Sequence, residues 1–281
     1  MNSIKEQIEN FDDFPTLPTV YYKLVDALSD NTTTIRKISE IISTDIALSF
    51  KLLKIVNSSI YGLSTKVKTV EKAIFHMGFR ELKNIILTST VIDVFSDLKS
   101  SSSLDLVAFW KHSIAVGVVS RALANLHGKK NLDEYLLAGI SHDIGKLVLY
   151  KILGNQYEAA FIFAKRNNID LADAESKVFG INHLEIGYKI AKDWNLDDNI
   201  ANSIKFHRKG LINSKLSHIV STIHVANILT KGFEWGKSGN DIIDKPNNKI
   251  WLKYSLKEIK IKDFYNEVKE DYYQACEILI V

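Results

Sequence analysis

A histidine, an aspartate and a lysine interrupt an otherwise apolar run, Leu136-Leu-Ala-Gly-Ile-Ser-His142-Asp143-Ile-Gly-Lys146-Leu-Val-Leu-Tyr-Lys-Ile152. A helix that is apolar on every side is a buried helix, so the pattern predicts that His142 and Asp143 lie in the interior. An unpaired charge is poorly solvated there, and each must meet a polar side chain, a water or a metal. Gly139 and Gly145 stand three residues before and three after His142. Both weaken a helix, and their place beside a buried ionisable pair predicts close approach by another element or a ligand.

Three further histidines extend the chemistry. His112 shares a helical stripe with Val116, Val119 and Leu123, which turns it inward; His183 opens a predicted helix and His207 closes another. Imidazole and carboxylate are the usual ligands of first-row divalent metals, and facing helices of a bundle often supply them together. A metal held in that way could activate water for hydrolysis. Taken one at a time, each is more often a core histidine satisfied by hydrogen bonds. Spacing alone leaves both readings open.

The elements that must position these groups are helical. The chain has 281 residues, 46% of them hydrophobic and 25% charged, which provides a sizeable core, and only three prolines and 13 glycines to interrupt helices. A net charge of +3 from 36 basic and 33 acidic residues gives no reason to expect nucleic acid or an anionic membrane. The single cysteine, Cys276, cannot form an intrachain disulfide and fits a reducing compartment. Neither a signal-peptide pattern nor an apolar run judged long enough to span a bilayer is apparent. The expectation is a cytoplasmic protein with no membrane association.

Periodicity predicts helices after Pro18, over 35–42, from 45 to a left-handed end at Gly62, and over 73–77 and 80–95. Further helices are predicted over 106–127, 133–153, 155–167, 171–179, 183–193, 197–206 and 215–231, with a polar loop from Gly232 to Asn248 and a helical tail beyond. The serine-rich stretch 96–105 marks a boundary. The reading is all-α, divided into residues 1–100, 101–235 and a loop-and-tail segment 236–281.

At this point the residues resemble a known superfamily. A histidine on one helix followed by His142-Asp143 on the next is similar to the HD superfamily of metal-dependent phosphohydrolases. Ser141-His142-Asp143-Ile144-Gly145-Lys146 resembles the form found in HD-GYP cyclic-dinucleotide phosphodiesterases. Leu17-Pro18 after Pro15, the stretch from Asp45 through Asn57-Ser58 to Tyr61-Gly62, Ala73-Ile74-Phe-His-Met-Gly78 and Phe109-Trp110-Lys-His112 resemble the HDOD (HD-related output domain) family. The motifs keep their order over about residues 10–230; Ile46 stands where most members have proline. The resemblance implies an N-terminal helical bundle packed on an HD-like helical domain, and a bacterial signalling or regulatory role, usually without demonstrated catalysis.

Against the active HD pattern the chain shows losses. The final aspartate of that pattern falls in Val225-Ala226-Asn227, where asparagine brings no charge. Phe206-His207-Arg208 replaces the His-His-Glu of HD-GYP enzymes, with no Gly-Tyr-Pro after it, and Arg208 would add positive charge near a metal. The candidate metal set is therefore His112, His142, Asp143, His183 and His207, a vestigial site with Asn227 at the lost aspartate. No catalytic residue and no cofactor is assigned, although a divalent ion could still bind. Lys146 is expected to pair with Asp143 at the i,i+3 spacing; His224, three residues before Asn227, is expected to serve helix packing ahead of a supporting role at the site.

Two functions follow. The first is a non-catalytic regulatory protein acting through unidentified signalling proteins; the alternative is a metal-dependent phosphohydrolase acting on a nucleotide or phosphodiester. Nucleic-acid binding through Lys249, Lys253 and Lys257 ranks well below both, because acidic residues dilute that tail.

Overall fold

Short polar side chains set where many helices begin. Thr34, Asp45, Thr69 and Asp105 each accept a hydrogen bond from the backbone N–H three residues on, which satisfies one of the orphan donors of a helix start. Asn182 and Glu185 form a reciprocal capping box at His183. The computed structural model describes residues 4–9, 11, 14–212, 215–239, 242–253 and 260–280.

The first half contains α1 (Ile4–Glu9), α2 (Thr19–Ser29), α3 (Ile35–Ser43), α4 (Ile46–Val56), α5 (Val70–Met77) and α6 (Phe79–Asp93). Gly78, at φ +82°, separates the last two. The second half opens with the long α7 (Leu106–Leu126), followed by α8 (Leu132–Ser141) and α9 (Ile144–Leu153). A 3-10 turn leads to α10 (Glu158–Asn167), α11 (Leu171–Phe179), α12 (His183–Asp193) and α13 (Asp198–Phe206). A two-residue hairpin, β1 (Leu211–Ile212) with β2 (Lys215–Leu216), precedes α14 (His218–Gly232), α15 (Asn248–Lys253) and α16 (Ile261–Leu279). That hairpin is the only sheet among the described residues, and the fold is all-α.

Helix α7 is the axle, packed by α8, α14 and α16. At 21 residues it is long and apolar enough to cross a membrane, contrary to the expectation from the sequence, but 72% of its apolar window is buried inside the protein. Buried apolar side chains form one cluster that runs from Ile8 to Leu279. Helix α16 bridges the halves by packing on both α7 and α4. Its Gln274 accepts from the Ser59 amide at 2.9 Å, its Asp271 accepts from the Ser59 hydroxyl, and its Tyr272 stacks on Trp235 with centroids 4.5 Å apart.

Three expectations change. The helix predicted over 133–153 is two helices, broken at His142-Asp143. The helix from residue 45 ends at Val56 with Asn57 as its cap, and Gly62 takes its left-handed φ of +55° in the turn that follows. Residues 215–216 belong to the hairpin, so α14 begins at His218. In the tail, Tyr254, Lys257 and Glu258 lie outside the described residues.

Candidate metal centre

The break between α8 and α9 makes the centre. His142 caps the end of α8 and Asp143 the start of α9, so neither side chain is confined to a helical stripe. Two glycines then bring the neighbouring helices in. A Cβ on Gly139 would lie 2.5 Å from the Cα of Gly117, which is how closely α7 crosses α8; a Cβ on Gly145 would lie 1.9 Å from the His183 carbonyl oxygen. Real Cβ atoms do not approach so near, so these two glycines admit α7 with His112 and α12 with His183. The close approach expected from the sequence is present at both.

All five predicted ligands and Asn227 converge, and all are buried. The Asp143 carboxylate is the hub. Its Oδ2 lies 2.6 Å from Lys146 Nζ and 3.2 Å from His142 Nε2, and its Oδ1 lies 3.5 Å from His183 Nε2 and 3.6 Å from His207 Nε2. Lys146 also donates to the Ser238 carbonyl at 3.1 Å. The pairing of Lys146 with Asp143 is the one that their spacing predicts.

Three of the four imidazoles are oriented from behind. His142 Nδ1 donates to the Gly139 carbonyl at 2.7 Å, His207 Nδ1 to the Ile204 carbonyl at 3.0 Å, and His183 Nδ1 to the Glu175 carboxylate at 2.6 Å. Those partners only accept, so the proton of a neutral ring sits on Nδ1 and the Nε2 lone pair faces Asp143. Metal-binding histidines are held in the same way. His112 differs: its Nε2 faces Asn227 Oδ1 at 3.0 Å and donates to it, fastening α7 to α14.

The electrostatics agree with neutral His112 and His207 rings beside an ionised carboxylate. Burial, followed by the field of His142, pushes His112 and His207 well below the usual histidine range. Burial works against the Asp143 charge, but His142 and Lys146 outweigh it and hold the carboxyl well below its usual range. Two buried atoms, His142 Nε2 and Asp143 Oδ1, have no hydrogen-bond partner. Two sets of three ligand atoms, from His112, His142 and Asp143 and from Asp143, His183 and His207, each lie within 4.8 Å of one another. Unsatisfied nitrogen and oxygen donors converging in this way fit a first-row divalent cation.

A model of the HDOD domain matches residues 14–209. The chain belongs to the HDOD domain family. It is 25% identical over 223 residues to an uncharacterized protein of Treponema pallidum, a match that covers 78% of this chain and 42% of the relative. The chain spans less than half the length of the curated relatives it matches. Its fold is that of an HDOD domain protein of unknown function from Geobacter sulfurreducens, with a TM-score of 0.77 at 22% identity over 99% of this chain and 97% of the other. A protein from Shewanella amazonensis SB2B, provisionally named a metal-dependent phosphohydrolase, has a TM-score of 0.73 at 17% identity, covering 98% and 96%.

In this HDOD chain the centre is buried beneath a layer of ion pairs. Arg208 does not direct its charge at Asp143. It forks onto Asp173 at 2.9 and 2.7 Å and lies 3.3 Å from Asp170 and 3.9 Å from Asp244. Lys231 donates to the Ile242 carbonyl at 2.7 Å and lies 3.8 Å from Asp244. Behind this wall the space beside Asp143, His183, His207 and Asn227 is about 10 Å³, enough for one water-sized body. His224 supports the wall from the side, donating from Nδ1 to the His207 carbonyl at 2.9 Å and accepting from the Asn247 amide at 3.2 Å.

Glu175 is the residue that the sequence reading missed. It is fully buried and accepts from His183 Nδ1, from the His183 amide at 2.8 Å and from the Tyr157 hydroxyl. Its signal was available: Glu175 stands four residues from both Leu171 and Phe179, on the apolar stripe of α11.

Proposed function

We propose that this HDOD protein is a non-catalytic regulatory module that acts by binding signalling proteins, and that its His–Asp centre is a structural core able to take up one divalent cation. The observation that carries this reading is the size of the walled chamber. About 10 Å³ beside Asp143 has no room for a phosphoester. The chemistry of the donors supports it. Asn227 contributes no charge, and the one carboxylate aimed at the centre, Asp143, is already paired with the Lys146 ammonium at 2.6 Å.

When bound, a divalent cation would supply charge to polarise water. His142, His183, His207 and Asp143 would hold it, with Glu175 fixing the His183 ring. The exterior supports a partner-binding role. Ile46 and Phe50, one turn apart on α4, are 71 and 64% exposed, and Phe75 on the neighbouring α5 is 75% exposed; large exposed apolar side chains of this kind suit interaction surfaces.

The test measures metal content and affinity of protein purified without chelator or histidine tag, beside His142→Ala and Asn227→Asp, with pull-down from a native host alongside. One ion at most per chain, no turnover of nucleotides or cyclic dinucleotides, and a reproducible captured protein are expected. Phosphodiester turnover that is abolished by His142→Ala would replace this reading with the alternative, a metal-dependent phosphohydrolase. That second reading is favoured by one observation, the three imidazoles whose Nε2 atoms all point at Asp143.

A further inference from the structure

Outside the Arg208 wall lies a much larger cavity. It is a groove of about 650 Å³ between the N-terminal ends of α11 and α12, the C-terminal end of α13 and the strand after it, and the loop that carries Lys245 and Asn247. That volume is in the range of small-molecule sites, and it contrasts with the single-water chamber on the other side of Arg208.

The charge along the groove is unbalanced. Four cationic side chains, Lys205, Arg208, Lys209 and Lys245, line it against two carboxylates, Asp173 and Glu185. Both carboxylates are already engaged, Asp173 by the Arg208 fork and Glu185 by the Asn182 amide at 3.2 Å in the capping box. Lys205 lies 4.5 Å from the centroid of the Tyr188 ring. Lys209 and Lys245 are exposed, and their ammonium groups have no ion pair or hydrogen bond among the described residues. Arg208 is engaged by its carboxylates, which leaves the two exposed ammonium groups as the point charges that would receive a phosphate dianion.

The remaining lining is apolar. Leu184, Leu211 and the half-buried Phe206 ring provide a surface on which a flat group can lie. Every base has a π-face that can stack on an aromatic ring.

We propose that this groove binds a nucleoside phosphate, its phosphate held by Lys209 and Lys245 and its base resting against Phe206. The site lies outside the chamber of Asp143 and does not depend on whether that chamber holds a cation. It is also independent of the non-catalytic reading above.

The experiment is calorimetric titration of the full chain with ADP at low salt, beside adenosine and inorganic pyrophosphate. The variants are the Lys209→Glu, Lys245→Glu double substitution, at two exposed positions, and His142→Ala; their folding is checked by thermal melts. One ADP per chain is expected, with adenosine and pyrophosphate each weaker. The double substitution should weaken ADP about tenfold or more, added salt should weaken it further, and His142→Ala should leave it unchanged. The proposal is overturned if ADP does not bind at millimolar concentration, if the folded double variant binds it as tightly as the parent, or if pyrophosphate binds as tightly as ADP. Loss of ADP binding in folded His142→Ala would also overturn it, by placing the nucleotide on the chamber.

Discussion

In α3 to α5 the buried positions include Ile38, Ile42, Leu48, Leu52, Ile55, Ala73 and Ile74, while Ile46, Phe50 and Phe75 lie in solvent. Between α7 and α14 the buried set includes His112, His142, Asp143, Lys146, Glu175, His183 and His207. The first region gains the usual stabilisation of burial, about 1.5–3 kcal/mol for each large apolar side chain. The second bears the desolvation of ionised groups, which close pairing only offsets. A purely structural bundle would expose polar groups where the first region exposes Ile46, Phe50 and Phe75, and bury apolar groups where the second buries charged ones. The inner anomaly suits a small ion and the outer one suits a partner protein.

The largest expected effect tests how tightly the polar region is built. Gly145→Ala forces a methyl into the His183 carbonyl, and a destabilisation of about 3 kcal/mol or more is expected in urea unfolding. A loss under 1 kcal/mol would mean that α9 and α12 have room to part. Glu175→Ala comes next. It leaves the Tyr157 hydroxyl and both His183 donors without their acceptor, at about 3 kcal/mol. Cation affinity should drop by about 10- to 100-fold, and Glu175→Gln, which keeps an oxygen, should recover part of both.

Acid should separate the two regions at a smaller scale. His112 and His207 are held well below the usual value of 6.5, so below that pH the unfolded chain binds protons that the folded one refuses. Stability of the metal-free protein therefore falls as pH drops from 6.5, by at most about 1.4 kcal/mol per pH unit for each ring. Below the usual aspartate value of 3.8, Asp143 adds to the loss, since its folded carboxyl resists protonation. Urea midpoints at pH 7.5 and 5.0 measure the upper window, and His207→Gln should flatten it; equal midpoints for the parent would contradict neutral buried rings. The smallest effect lies in the other region. Phe50→Ser should change stability by no more than about 0.5 kcal/mol yet weaken capture of the partner. Undiminished capture would move the contact surface elsewhere.

Much of this was legible in the sequence because it is local. The apolar run around His142-Asp143 predicts their burial, Gly139 and Gly145 predict the helix crossings, and the Asn182–Glu185 pair marks the start of α12. The break at His142-Asp143 was not legible, since the apolar pattern continues through it without a proline. The partners of Arg208 were hidden for a different reason. Asp173 and Asp244 lie 35 residues before it and 36 after it, and no helical period links such positions. The apolar length of α7 was passed over, although a core helix wrapped on all sides has the composition of a membrane span.

The break between α8 and α9 has an electrical consequence. Peptide dipoles leave roughly half a positive charge at a helix start and half a negative charge at a helix end. Asp143 stands at the start of α9 with its carboxylate free of any capping bond, and His142 stands at the end of α8. The backbone field thus favours the ionised carboxylate, while the Gly139, Ile204 and Glu175 acceptors keep the ring protons on Nδ1. Near neutral pH Asp143 is ionised and His112 and His207 are neutral, so uptake of an ion should release few protons from these three groups.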